Sequence, residues 1–403
     1  AAPPLAFGRT MAAGDHSRGA GPRETRGCAH ARERRGAGAA PRAERILERA
    51  CLFFGLLQTG VGAVFFKRLR MRYTDDVYVR TFLSCSTPEP RDEPGRVPLG
   101  HLLEMVHVVY SESKEWTGLL TSMTSLAKHL SEPEHCTIHL ILRAEYMPMA
   151  RGVISCFKHE LQDLPVVPRV ELHAMQLFMT LPSEEDWAIG ASEAARSNET
   201  FARFFLHKFM PAAPRAIWID SDTLIRHDVA KLYRMPMAHP LATVVESTTL
   251  DWYPEAMRKN KHWALANYTE RLLGEAGQKA GKMQAGVLVL DIQRWAAEGL
   301  AEKSVAMFER LQGFDNDQGA LNMLLWNDRD LIDWRWNVCA LGNFPVLPPQ
   351  RCVDGARIFH WAGTMKPWKE ESLFRRITGL QLETRRLYTG AATCKVVAEP
   401  SGD

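Results

Sequence analysis

This chain lacks any marked excess of basic over acidic residues. Its formal net charge is +3 over 403 residues, too little to draw a polyanion, so nucleic acid is not an expected partner. No two of its eight cysteines (Cys28, Cys51, Cys85, Cys136, Cys156, Cys339, Cys352, Cys394) stand in C-x-x-C spacing, which leaves a zinc-cluster or thioredoxin-type site unsupported. Two states stay open for them. They are buried thiols, or they are disulfides of an oxidising compartment with Cys339 and Cys352 as the nearest pair. Internal repeats are also absent. What remains is an ordinary globular balance, 46% hydrophobic and 24% charged, with enough apolar material for a sizeable core.

The ends of the chain differ from its middle. Residues 1–49 hold ten arginines and five acids among Ala and Gly, with almost no apolar periodicity, and read as disordered. Residues 50–66 (ACLFFGLLQTGVGAVFF) carry no charge, and Lys67, Arg68, Arg70 and Arg72 follow directly. Seventeen uncharged residues are at the short end of a membrane span. No small-residue cleavage site follows, so an anchor fits better than a cleaved signal; a buried helix or an organelle-targeting segment is the alternative. Basic residues flank both sides, so orientation is weakly determined. Residues 67–101, with Pro88, Pro90, Pro94 and Pro98, read as a stem. Residues 379–403 form a tail.

Between these ends, apolar patterns alternate. Strands are expected at Met105–Tyr110, Thr137–Leu142, Val170–Met175 and Ala216–Ile219. Helices are expected at Leu119–Leu130, Ala150–Leu161 and Ala202–Phe209. This rhythm predicts an α/β fold, a mostly parallel Rossmann-like sheet with helices on both faces. In such sheets ligands gather at the carboxyl ends of the strands.

The strand Ala216–Ile219 ends in Asp220-Ser221-Asp222. Two carboxylates at the rim of a low-dielectric core repel each other, and a divalent cation such as Mn²⁺ or Mg²⁺ relieves that repulsion. A cation held there suits a leaving group that carries several negative charges. A solvated turn accounts for the same letters more simply. A third reading takes AIWIDSDTL as the opening of a haloacid-dehalogenase-type phosphatase, with Asp220 as nucleophile and Asp222 as general acid. Against it, three strands precede the motif, and no DD or GDxxxD follows.

Four further segments carry a resemblance. Residues 203–228 (RFFLHKFMPAAPRAIWIDSDTLIRHD) resemble the helix–strand–DxD block of the family 8 glycosyltransferases. QAGVLVLD (284–291) resembles that family's N-A-G-V strand, DQGALN (317–322) its D-Q-D-x-L-N helix start, and IFHWAGTMKPW (358–368) its H-x-x-G-x-x-K-P-W block. The blocks keep the family's order and spacing. The resemblance implies a GT-A domain over residues 102–378, a UDP-sugar donor, Mn²⁺ or a similar ion, and transfer with retention.

The same resemblance implies roles for individual residues. Asp220, Asp222 and His360 match metal ligands, with Ser221 between the acids. Gly363 and Lys366 match the loop that grips the diphosphate, and Gly286 lies in the strand beside the donor. Arg203 matches a basic residue near the sugar and phosphate. Asp317 and Gln318 match the pair that faces the donor sugar and are the candidate catalytic residues. Glu112 sits where an acid reads the uracil, with Val109, Tyr110 and Ser111 lining that pocket. Gln284 replaces the usual Asn, and Gly319 replaces the second Asp of the D-Q-D block.

The acceptor is not written in these motifs; a carbohydrate, glycoprotein or glycolipid would all serve. Residues 176–200 and 247–282 are insertions that could shape its cleft, with Trp187, Trp252, Tyr253 and Trp263 as candidates for stacking on sugar rings. The sequons at Asn198 and Asn267, together with the apolar segment and stem, favour a single-pass Golgi protein with a luminal catalytic domain. A cytosolic, glycogenin-like enzyme and a non-catalytic sugar-binding relative are the alternatives.

Overall fold

The computed structural model describes residues 106–111, 116–176, 178–179, 198–339, 341, 348–363 and 366–368. These lie within one compact unit, Arg68–Asp403. The expected disordered segment, anchor, stem and tail, and Glu112 and Trp187, fall outside the described residues. Among the described residues, no helix is long and apolar enough to cross a membrane.

Among the described residues the strands are β1 (Val106–Ser111), β2 (Cys136–Leu142), β3 (Arg169–Ala174), β4 (Arg215–Ile219), β5 (Thr223–Ile225), β6 (Leu241–Thr249), β7 (Gly281–Asp291), β8 (Asp330–Leu331) and β9 (Ile358–His360). Seven form one sheet in the order β3-β2-β1-β4-β7-β6-β8, and β5 pairs with β9 in a small second sheet. Among the described residues the α-helices of eight or more residues are α1 (Trp116–His129), α2 (Met147–Glu160), α3 (Trp252–Lys259), α4 (Trp263–Gln278), α5 (Leu300–Arg310) and α6 (Asn316–Leu325).

The seven expected elements occur within a few residues of their expected places. One differs in kind. The segment Ala202–Phe209 is a 3-10 helix, Asn198–Phe205, that passes into a single α-turn, Leu206–Phe209. The sheet also carries one reversal: β7 runs antiparallel to both β4 and β6, while the β1–β2, β2–β3, β1–β4 and β6–β8 pairs are parallel.

Both faces of the sheet are covered, which is why its strands read as continuous apolar runs. All seven residues of β2 are buried. Alternate side chains divide between two cores. Val108, Tyr110, Ile217, Ile219, Val287 and Val289 face α1 and α2. Val109, Ala216, Trp218, Ala285 and Leu288 face the 3-10 helix, α5 and α6. The insertion 247–282 becomes the α3–α4 pair with its own small core around Tyr253, Met257, Leu273 and Phe314.

Both states left open for the cysteines occur among the described residues. Cys352 is disulfide-bonded, as is Cys156, whereas Cys339 is a buried thiol, so the Cys339–Cys352 bond is not formed.

The 3-10 helix that carries Arg203 is anchored by Phe201, whose ring lies 4.7 Å from that of fully buried Phe308 on α5. Phe308→Ala should therefore cost about 3–5 kcal/mol, measured as a lowered midpoint of urea unfolding. A loss below about 0.5 kcal/mol, an ordinary surface value, would show that the segment is anchored elsewhere.

Candidate active site

Two backbone ladders bring the distant blocks together. The β4–β7 pairing continues past its last strand residues, with Asp220 N donating to Gly286 O at 2.8 Å. Beyond the turn, β5 and β9 pair so that Thr223 stands opposite His360, and Trp361 N donates to Asp222 O at 2.9 Å. Asp220 is thus tied to Gly286, and Asp222 to the His360–Trp361 step. Ser221 sits part-exposed in the turn between them.

Helix α1 fixes the short β5 strand from behind. Ser125 Oγ accepts from Ile225 N at 3.0 Å, and a hydroxyl chain runs from Tyr110 through Ser122 (3.0 Å) to Thr223 (2.7 Å). Tyr110 is therefore a structural residue. Its phenol is fully buried, and burial pushes its pKa well above the usual value. Val109 is fully buried on the opposite face. Neither side chain lines a pocket, contrary to the expectation from sequence. Ser111 is part-exposed and donates to Glu199 O at 2.8 Å.

At the centre, each acid has one oxygen anchored and one turned inward. Asp220 Oδ1 accepts from Trp218 Nε1 (2.8 Å) and Arg203 Nη2 (3.3 Å), while Oδ2 lies 3.6 Å from His360 Nε2. Asp222 Oδ2 holds Lys366 Nζ, and its Oδ1 lies 3.2 Å from His360 Nε2. Burial works to raise the pKa of Asp222, but Lys366 and His360 outweigh it and hold the carboxyl far below the usual range.

His360 is oriented from its other nitrogen. Its Nδ1 lies 3.0 Å from Asn337 Oδ1. An amide oxygen accepts only, so Nδ1 donates to it and Nε2 is the ring atom that faces the acids. Asn337 is held in turn, donating to Gln284 Oε1 at 2.6 Å, and the same oxygen accepts from Gly286 N at 2.7 Å. The oxygen of Gln284 thus serves the frame. Asn337 itself, fully buried in Trp334–Asn337, was not among the expected site residues.

The arrangement fits a bound cation. Asp220, Asp222 and His360 offer three donor atoms within 4.8 Å of one another. The space beside them is kept clear by Gly286, where a Cβ would stand 2.1 Å from His360 Cε1 and 2.9 Å from Asp220 Oδ2. Two carboxylates and one imidazole suit Mn²⁺, and carboxylates suit Mg²⁺.

Arg203 links this centre to the candidate catalytic pair. It stacks 4.4 Å above the Trp218 ring, donates to Ala285 O at 2.5 Å and lies 3.1 Å from Asp317 Oδ2. Burial pushes the Asp317 carboxyl up to about 6, against the lowering effect of Arg203.

Gln318 and Asn322, one turn apart on α6, act on β7. Between Thr243 and Val245 the β6–β7 ladder shifts register. In that stretch Ala285 N donates to Gln318 Oε1 (2.9 Å) and Met283 N to Asn322 Oδ1 (2.8 Å). Side-chain amides replace the missing ladder bonds. At Gly319, a Cβ would meet Phe314 O at 2.2 Å, so the backbone leaves no room for the carboxylate of the D-Q-D pattern. On the outer rim, Gly363 is exposed with a φ of 112°, and Lys366 also donates to Trp361 O at 3.0 Å.

The sequence profile of Glycosyl transferase family 8 matches residues 74–372. This chain belongs to glycosyl transferase family 8. Its enzyme class is therefore glycosyltransferase, and its fold is the GT-A fold. It is 26% identical over 282 residues to a probable galacturonosyltransferase-like protein 9 of Arabidopsis thaliana, covering 66% of this chain and 67% of that one. It is 26% identical over 200 residues to the lipopolysaccharide 1,3-galactosyltransferase of Salmonella typhimurium, covering 47% of this chain and 52% of that one. The glycosyltransferase 8 domain-containing protein 1 of Bos taurus matches at 25% over 187 residues, 42% of this chain and 50% of that one. The chain thus spans about two thirds of the plant relative and about half of the others. A crystal structure of an active-site mutant of LgtC superposes with a TM-score of 0.50 at 14% identity, over 73% of this chain and 98% of that one, a likeness of fold.

In this glycosyltransferase Asn337 sets the orientation of the His360 ring and so of its Nε2. Asn337→Ala should weaken Mn²⁺ binding by about 10–100-fold, measured by isothermal titration, with thermal stability monitored alongside. An unchanged affinity would show that the histidine does not depend on this support.

Proposed function

We propose that this glycosyltransferase is metal-dependent and moves a hexose, pentose or uronic acid from a UDP-sugar to a glycan, protein or lipid acceptor, with retention of anomeric configuration. One observation carries the proposal. Asp220 Oδ2, Asp222 Oδ1 and His360 Nε2 converge while the second oxygen of each acid is fixed by Arg203 and Trp218 or by Lys366. A bound Mn²⁺ or Mg²⁺ neutralises the negative charge of a departing diphosphate. Lys366, whose ammonium already sits on Asp222, is within the same cluster to take a phosphate oxygen. Gly363, exposed beside it, lets the backbone approach.

Asp317 and Gln318 bear on the sugar side. Gln318 Oε1 is bonded to Ala285 N, and an amide is a poor nucleophile. Asp317 is held by Arg203, and burial favours its neutral form. Front-face attack suits these constraints better than a covalent intermediate. The acceptor oxygen forms its bond to the anomeric carbon as the carbon–phosphate-oxygen bond breaks. UDP leaves, and a phosphate oxygen takes the acceptor's proton. Asp317 and Gln318 then position the ring and support its positive charge.

For the acceptor side, the aromatic candidates separate. Tyr253 is fully buried, with its hydroxyl 2.6 Å from Asp315 Oδ2, so it does not stack on a sugar. Trp252 is partly exposed and packs against Tyr253 and Phe314. Trp263 is 59% exposed and is the better candidate. A luminal, Golgi-type location with residues 50–66 as anchor draws support from the disulfide-bonded Cys156 and Cys352 and from the exposed sequon residue Asn267.

UDP release from UDP-glucose, UDP-galactose, UDP-xylose and UDP-galacturonate, with Mn²⁺ or with EDTA, tests the reading. One donor should be turned over with Mn²⁺ and not with EDTA, and Asp222→Asn should lower that rate by about 10³-fold, the size of losing one strong electrostatic contact to the leaving group. Equal rates with Mn²⁺ and EDTA would exclude metal dependence.

A further inference from the structure

A second group of ligand-type side chains lies away from the Asp220–His360 centre, on β2 and β3. In the parallel β2–β3 pair, His139 stands opposite Glu171 and Ile141 opposite His173. Residues i and i+2 of a strand share a face, so His139, Glu171 and His173 project from the same side of the sheet. Their donor atoms all lie within 4.8 Å of one another. His139 Nδ1 is 2.9 Å from His173 Nε2 and 3.6 Å from Glu171 Oε2.

We propose that His139, Glu171 and His173 form a second divalent-cation site, of the zinc class. Tetrahedral zinc with bonds of about 2.0–2.2 Å to nitrogen and oxygen sets its donors roughly 3.3–3.5 Å apart. Those two separations bracket that range, and the third, between His173 and Glu171, is within 4.8 Å, so modest side-chain adjustment seats the ion. Two of the ligands have partners outside the cluster. Arg169 Nη2 binds Glu171 Oε1 at 2.8 Å and leaves Oε2 toward His139. The His173 ring meets Phe209 edge-on at 6.0 Å. His139 is 2% exposed, whereas Glu171 and His173 are partly exposed. Because β3 is an edge strand among the described residues and Glu171 and His173 are partly exposed, the site has a solvent-facing side on which water can take a fourth position.

The ligand sets divide the ions between the two sites. Two imidazoles and one carboxylate favour Zn²⁺, and two carboxylates with one imidazole favour Mn²⁺ or Mg²⁺. A cation on the β2–β3 face ties the edge strand to its neighbour, so its effect falls on stability rather than on sugar transfer.

The test is Zn²⁺ titration of the purified chain in the Asp222→Asn background with excess Mg²⁺, read by calorimetry and by thermal unfolding. One equivalent should bind and raise the unfolding temperature. Adding His173→Gln should weaken binding by at least roughly tenfold and remove the thermal shift. Glu171→Gln, at a more exposed position, should weaken binding in the same direction and covers the case in which the histidine variant does not fold. Absence of Zn²⁺ binding in the Asp222→Asn background, or an affinity unmoved by either variant, overturns the proposal.

Discussion

The pairing of Thr223 with His360 is the constraint on which the active centre rests. A three-residue strand on its own has too few bonds to hold a register, and β5 does not hold it alone. Ser125 takes one of its backbone N–H groups, and the Tyr110–Ser122–Thr223 hydroxyl chain is buried against it. On the other side, Val338 N donates to Ile358 O and His360 N to Val338 O, so β9 is clamped as well. A slip of one residue would turn His360 to the other face. The local chemistry is therefore set by a backbone pairing, β5 with β9, whose partners lie more than a hundred positions apart in sequence.

Charge balance is the second condition. Asp220, Asp222 and Asp317 lie near one another at the rim of the sheet, and carboxylates so placed oppose their own ionisation. Arg203 answers two of them at once, with its guanidinium between Asp220 and Asp317, and Lys366 answers Asp222. This arrangement leaves Asp317 raised by burial and Asp222 strongly lowered. Burial thus dominates at Asp317, and neighbouring positive charge dominates at Asp222. That difference matches the division of labour proposed above, in which Asp222 is a ligand and Asp317 a positioning group.

Much of this is legible in the residues. The alternating apolar runs mark β1 to β4 and the helices between them, because both faces of the sheet are buried and the strand signal is strong. The acids after Ile219 stand out because two carboxylates at the tip of a buried strand repel each other unless something of opposite charge joins them. Other features leave no periodic trace. The reversal of β7 is a matter of topology, since an apolar strand reads the same in either direction. Asn337 gives no signal, because its partners Gln284 and His360 are remote in the chain. Family resemblance turns Gln318 toward the sugar, whereas its oxygen repairs the lapse in the β6–β7 ladder; its spacing of four from Asn322 is the available clue. Tyr110 and Val109 look like pocket residues from their place near the end of a strand, yet the alternation that buries both faces makes each a core residue. The Cys339–Cys352 pair fails because nearness in sequence says little about Cα separation in space.

One imidazole nitrogen and two carboxylates must meet around a single ion if this centre works as proposed. Electron spin-echo spectroscopy of the protein loaded with one equivalent of Mn²⁺ tests that convergence most directly. The expected result is a nitrogen coupling from one histidine, which disappears in His360→Gln. A Mn²⁺ signal without that coupling, or one that keeps it in His360→Gln, would contradict the assignment.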